Sequence, residues 1–209
     1  MSLLSKLLHF VLLTSSKYQI DESHGISHSM NVLHFTHNIF NSEVLKNKNL
    51  YSQEQLIYVS AVVHDMCDKK YMNEDQGIQE VATFLQTKIN PPDIEIVKKI
   101  IGTMSYSKVK KNGFPDLGEY QNAYHIVREA DLLSAYDFDR SIIYHLQKTE
   151  CDVNSAYKDS VHLFETRVFK HEEDGLFITD YSKNNYMTLQ NTANIRIKSW
   201  KNLLKKPFL

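Results

Sequence analysis

The sequence predicts an all-α fold, and three observations carry that expectation. Apolar residues recur at three- and four-residue spacing along most of the 209-residue chain. Glycine (6) and proline (4) are too scarce for a turn-rich all-β fold. Only residues 175–179 (GLFIT) read like a strand. The length suits one sizeable domain over residues 1–209 rather than two.

The elements follow in order. Residues 7–13 (LLHFVLL) imitate the apolar part of a signal peptide, but His9 interrupts them and no small-residue cleavage pattern follows. An N-terminal amphipathic helix is expected instead. The next period covers 28–46 through Met30, Leu33, His37 and Phe40. Residues 53–66 hold an apolar run broken only by Ser60, and 74–88 align Ile78, Val81, Ala82 and Leu85. Asn90-Pro91-Pro92 stops the chain, and 93–104 resumes with Ile94, Val97, Ile100 and Ile101. Residues 111–115 (KNGFP) mark a loop, and the basic run Lys108-Val109-Lys110-Lys111 is read as part of it. Ala123, Ile126, Val127, Ala130 and Leu133 give a helix over 119–135. Three more periods cover 138–150, 154–170 and 186–204. The expected total is eight or nine helices. Residues 198–209 (KSWKNLLKKPFL) are basic and amphipathic, and read as a cap packed through Trp200, Leu203 and Leu204 rather than a membrane-surface segment.

Charge narrows the function classes. Lys plus Arg is 24 and Asp plus Glu is 25, a formal charge of −1. Such a chain lacks the broad positive field of a nucleic-acid binder. No apolar run reaches the roughly 18 residues of a membrane span. Two cysteines, Cys67 and Cys151, cannot build a disulfide framework, so a cytoplasmic setting is expected.

Histidine is in excess, with ten residues. His24, His28, His34 and His37 crowd one segment. On a helix through 28–40, His34 lies about 240° and His37 about 180° round from His28, so the cluster is not one row of ligands. His24 could stack above His28 only if the helix already included Gly25. His64-Asp65 ends the apolar run of 56–63. An Asp there loses hydration and needs a partner; a cation bound by both side chains is one, and emergence of the helix end into water is the plainer alternative. Asp131 sits inside the apolar pattern of 124–135, where either a cation or a salt bridge with Arg128 would satisfy it. Together, His28, His64-Asp65 and Asp131 place metal-competent groups on three helices of one domain. Imidazole and carboxylate suit Mn, Fe, Ni, Co or Zn.

This arrangement resembles the HD-domain superfamily of metal-dependent phosphohydrolases. The resemblance rests on 23–32 (SHGISHSMNV), 61–65 (AVVHD) and 128–135 (READLLSA), and covers roughly residues 20–145. Helices at about 154–205 would complete the bundle. It implies one divalent ion (Mn, Fe, Ni, Co, Zn or Mg) held by His28, His64, Asp65 and Asp131. It implies hydrolysis of a small phosphorylated substrate, a nucleotide in particular, by metal-activated water. Asp68 stands where relatives carry a catalytic acid. Lys69, Lys70 and Arg140 are placed to hold phosphate oxygens, and His24 to contact substrate. A non-catalytic nucleotide-binding module on the same scaffold is the second reading, and the chain leaves room for a homodimer. Two departures stand out. Relatives often have Ser-His-Asp where this chain has Ser23-His24-Gly25, so an acid beside the first His is missing. Met104 stands where a two-metal relative would place a His, which favours one metal.

Overall fold

The computed structural model describes residues 1–149 and 152–206. Among these are ten α-helices and no strand: α1 (Leu3–Tyr18), α2 (Ile26–Glu43), α3 (Glu54–Val63), α4 (Glu74–Leu85), α5 (Pro91–Thr103), α6 (Tyr106–Asn112), α7 (Gln121–Ser134), α8 (Phe138–Thr149), α9 (Val153–Thr166) and α10 (Asp180–Leu203). The helix beyond the expected nine is α6. Lys108–Lys111 is helical because Val109 buries itself on the core while Lys110 and Lys111 stay exposed. Gly113, with φ +74°, then ends that helix in a conformation other residues adopt only under strain. Cys151 and residues 207–209 lie outside the described residues.

The hydrophobic pattern explains the layering. Seven of the ten residues of α3 are buried, Leu56 to Val63, so the helix can only be central. It packs against α1, α2, α5 and α7, while α2 and α7 make the most extensive helix pair. One buried apolar cluster runs from Leu7 to Ala193. Side-chain oxygens cap α1 (Ser2), α4 (Asn73), α9 (Asp152) and α10 (Thr179). Pro91 and Pro92 open α5, where their missing N–H groups cost nothing.

Residues 175–179 are not a strand. Their backbone has no partner strand; the Ile178 and Thr179 N–H groups donate instead to the buried Glu129 carboxylate at 2.8 and 3.1 Å. Arg128 donates to the same carboxylate at 3.0 Å and to the Leu176 carbonyl at 2.6 Å. At the C-terminus, Trp200 packs on the core and donates to Asp139 at 2.7 Å, as a capping helix requires, whereas Leu203 is exposed. No helix is long and apolar enough to cross a membrane.

Candidate metal centre

Three helices deliver the site. His28 projects from the first turn of α2, whose N-cap is Gly25. His64 is the C-cap of α3, and the chain then tightens into turns bonded Met66 to Val63 and Asp68 to Asp65. Those turns swing Asp65 and Asp68 to one side. Asp131 comes from α7, the main partner of α2.

Their polar atoms converge. His28 Nε2 lies 3.0 Å from His64 Nε2, 3.1 Å from Asp65 Oδ2 and 3.4 Å from Asp131 Oδ1. His64 Nε2 lies 3.3 Å from Asp65 Oδ2 and 3.7 Å from Asp131 Oδ1. Bonds of about 2.1 Å from one cation set neighbouring ligand atoms about 3.0 Å apart at right angles and about 3.4 Å apart at the tetrahedral angle. The separations among His28, His64 and Asp65 fit that range, and their ligand atoms all lie within 4.8 Å of one another; Asp131, at 3.7 Å from His64, stands at the edge of this group. Asp65 Oδ2 is buried without a hydrogen-bond donor, which is costly unless a cation meets it.

Ring orientation is fixed from outside. The Ala61 carbonyl can only accept, so His64 Nδ1, 2.8 Å away, carries a proton, and Nε2 is the ring nitrogen that faces inward. His28 Nδ1 faces Ser134 Oγ at 3.5 Å, and that hydroxyl donates to the Asp131 carbonyl at 2.7 Å. Burial alone would lower the His64 pKa, but the adjacent Asp65 carboxylate, aided by Asp131, pushes it up to about 9. Burial works to raise both carboxyls; the facing imidazoles outweigh it and hold Asp65 and Asp131 well below the carboxylate range. The centre therefore favours positive charge at its middle.

Two cavities flank it. One, of about 110 Å³, includes His64, Asp65 and Asp131 together with Asp68, Lys69 and Met104 in its wall. The other, of about 230 Å³, includes His24, Arg140 and Tyr144. Lys70 and Arg167 line both. Every candidate residue from the sequence except His28 thus borders one cavity or the other, and the His28 side chain is fully buried. Arg140 bonds the Ser23 carbonyl through Nε and reaches His28 Nε2 at 3.1 Å through Nη2. Met104 contributes a thioether, not an imidazole, to the wall of the first cavity. Arg128 is spent on Glu129 and Leu176, which removes it as the ion-pair partner of Asp131. His34 and His37 point elsewhere, to Asn38 and Tyr58.

One expectation is corrected. The acid beside His24 is present, supplied by Asp21 rather than by the position after His24. Lys70 donates to His24 Nε2 at 2.8 Å, which leaves the proton on Nδ1. Nδ1 faces Ser23 Oγ at 2.7 Å and Tyr71 Oη at 3.1 Å. Both hydroxyls donate to Asp21, the tyrosine at 2.5 Å. A Cβ at Gly25 would sit 3.2 Å from the Asp21 carbonyl, so the close turn that brings Asp21 in leaves little room for an aspartate there. Burial holds His24 neutral, and the Lys70 and Arg140 charges assist. Nor does His24 stack on His28; it lies outside α2, its ring edge-on at 6.2 Å. Sequence reasoning missed Asp21, Tyr71, Ser134 and Arg167. Only Asp21, an acid three residues before His24, left a signal.

No family model matches the chain, and no curated protein matches it. Among solved structures it is similar to a protein from Lactobacillus plantarum, a structural-genomics target, with a TM-score of 0.67 and 17% sequence identity. The match covers 96% of each chain, so the whole helical arrangement is shared. At that identity the likeness is one of fold.

Proposed function

We propose that the chain is a metal-dependent phosphohydrolase of the HD type. It would cleave a phosphomonoester or phosphodiester bond in a small phosphate ester, with nucleotides the favoured class. The observation that carries this reading is the convergence of His28, His64 and Asp65, with Asp131 beside them, next to two cation-lined cavities. These four residues would hold one divalent ion. When bound, such an ion lowers the pKa of water towards about 7 and offsets charge on a phosphoryl oxygen.

The other residues take the remaining tasks. Lys70, Arg140 and Arg167 would bind phosphate oxygens, since all three reach the cavity walls with donors. Lys69 adds positive charge at the mouth. Asp68 would move the proton, taking it from water or giving it to the leaving oxygen. It is oriented by the Lys70 backbone N–H at 2.9 Å and by the Lys70 ammonium at 3.2 Å. His24 would touch substrate only from beside Lys70. Side by side, the cavities match the small end of small-molecule sites, about 300 Å³, which favours a small substrate.

The test is metal analysis of protein purified without chelator, followed by a panel of nucleoside mono-, di- and triphosphates, cyclic nucleotides and a chromogenic phosphodiester. The expected result is close to one metal ion per chain and turnover of at least one ester, both lost in Asp65→Ala. Absence of metal after reconstitution with Mn, Fe or Ni would overturn the reading. Metal without turnover would leave a binding module.

A further inference from the structure

A third groove opens off the metal cavity and shares Lys69, Ser107 and Lys108 with it. Its volume is about 500 Å³, more than either cavity at the metal centre. The end of α6 and the turn after it line it through Lys111, Phe114 and Pro115. Phe114 lines the groove and is 39% exposed. It is not a loose side chain. Its ring lies 4.7 Å from the guanidinium carbon of the fully buried Arg128 and meets the His125 ring edge-on at 5.0 Å. Arg128 is itself locked by Glu129 and the Leu176 carbonyl. The ring is thus a fixed platform, held from the core side and open on the groove side.

The groove's charge has one sign. Lys69 and Lys111 have no ion-pair partner among the described residues, while Lys108 is tied to Glu74 and the Gly102 carbonyl. An occupant is therefore anionic at the end near the metal cavity and flat and apolar at the other.

We infer that this groove is the subsite for the nucleoside part of the substrate, with the base stacked on Phe114 and the phosphates running past Lys69 towards Asp65 and Asp131. The inference rests on the reading of the metal cavity as the phosphate end. It adds what that reading lacks, a reason for a nucleotide rather than any phosphate ester. Stacking of a base on an aromatic ring tolerates different bases, so the subsite selects for a base without selecting which.

The experiment compares α,β-methylene analogues of ADP and CDP with methylenediphosphonate, which lacks the nucleoside. Each is titrated calorimetrically into Mn²⁺-loaded protein. The expected result is about 5- to 100-fold tighter binding of both nucleoside analogues. Phe114→Ala should abolish that difference and leave methylenediphosphonate affinity unchanged, which also reports an intact cavity. Phe114→Trp should keep it. Equal affinities in the unaltered protein, no binding of any analogue, or an unchanged difference in Phe114→Ala would overturn the subsite. Failure of the phosphohydrolase reading appears separately, as no turnover of the ester panel by the same Mn²⁺-loaded protein.

Discussion

Lys70 donates to His24 Nε2 across 2.8 Å, and the same ammonium lies 3.2 Å from Asp68. A neutral imidazole and a carboxylate thus hold one lysine between the two cavities. Behind the imidazole, Ser23 and Tyr71 pass the constraint to Asp21. The chain of contacts fixes where a positive charge sits beside the metal centre. Lys70→Gln removes that charge without touching a metal ligand. A lost charge-assisted hydrogen bond costs about 1.5–3 kcal/mol, so KM should rise roughly 10- to 100-fold. Asp21→Asn should act in the same direction and less strongly, because Lys70 remains. Steady-state kinetics together with metal analysis checks this; a fall in bound metal with unchanged KM would make the network structural.

Ser134 offers a cleaner probe of the candidate metal centre than any of its proposed ligands. It stands behind His28 and bonds back to the Asp131 carbonyl, so it steadies one ligand from each of two helices. Ser134→Ala removes one oxygen and creates no new charge. Loss of such outer support typically lowers metal affinity 10- to 100-fold. Competition with a fluorescent chelator should read that decrease, while circular dichroism stays unchanged.

Gly77 ties the turn after α3 to the scaffold. A Cβ there would lie 2.7 Å from Cys67 Cα and 2.8 Å from Cys67 Cβ. Cys67 is two residues after Asp65, in the turn that positions both aspartates. Gly77→Ala must push α4 away from that turn. Overpacking of this kind costs about 1–3 kcal/mol, which chemical denaturation should register. Displacement of the turn should also weaken metal binding, an effect that Ala substitution at the exposed Gln79 lacks.

Much of this arrangement was legible in the sequence, for physical reasons that differ by element. The run 56–63 has no polar face, so only a central helix accommodates it, and the His-Asp pair at its end had to lie near the core. His34 and His37 were separated from His28 by helical rotation alone. The α6 helix escaped because one buried residue, Val109, among three lysines gives too weak a period. Asp21 escaped because Tyr71, which donates to it, lies fifty residues away and meets it only through the turns after α3. Phe114 sits in a loop signalled by glycine and proline, and nothing local announces that Arg128 lies beneath it.

His171 allows the acid limb of stability to be dissected. It is fully buried among Tyr106, Tyr136 and Phe177, and neither ring nitrogen has a hydrogen-bond partner among the described residues. Burial, with Arg167 and Arg128 nearby, pushes its pKa down to about 3, although Asp131 and Asp174 oppose the shift. The sign follows from the folded value lying below the unfolded one. Below about pH 6.5 the unfolded chain takes up a proton that the folded chain refuses, so stability falls as pH drops towards 3. Between pH 7 and pH 5 that loss is about 2 kcal/mol for this one group. Phenylalanine fits the same aromatic surroundings and carries no proton. His171→Phe should therefore match or exceed the parent protein in stability at pH 7 and lose about 2 kcal/mol less on going to pH 5. Urea denaturation of the metal-free proteins at both pH values measures this, and parallel pH dependences in parent and variant would show that His171 is not held neutral.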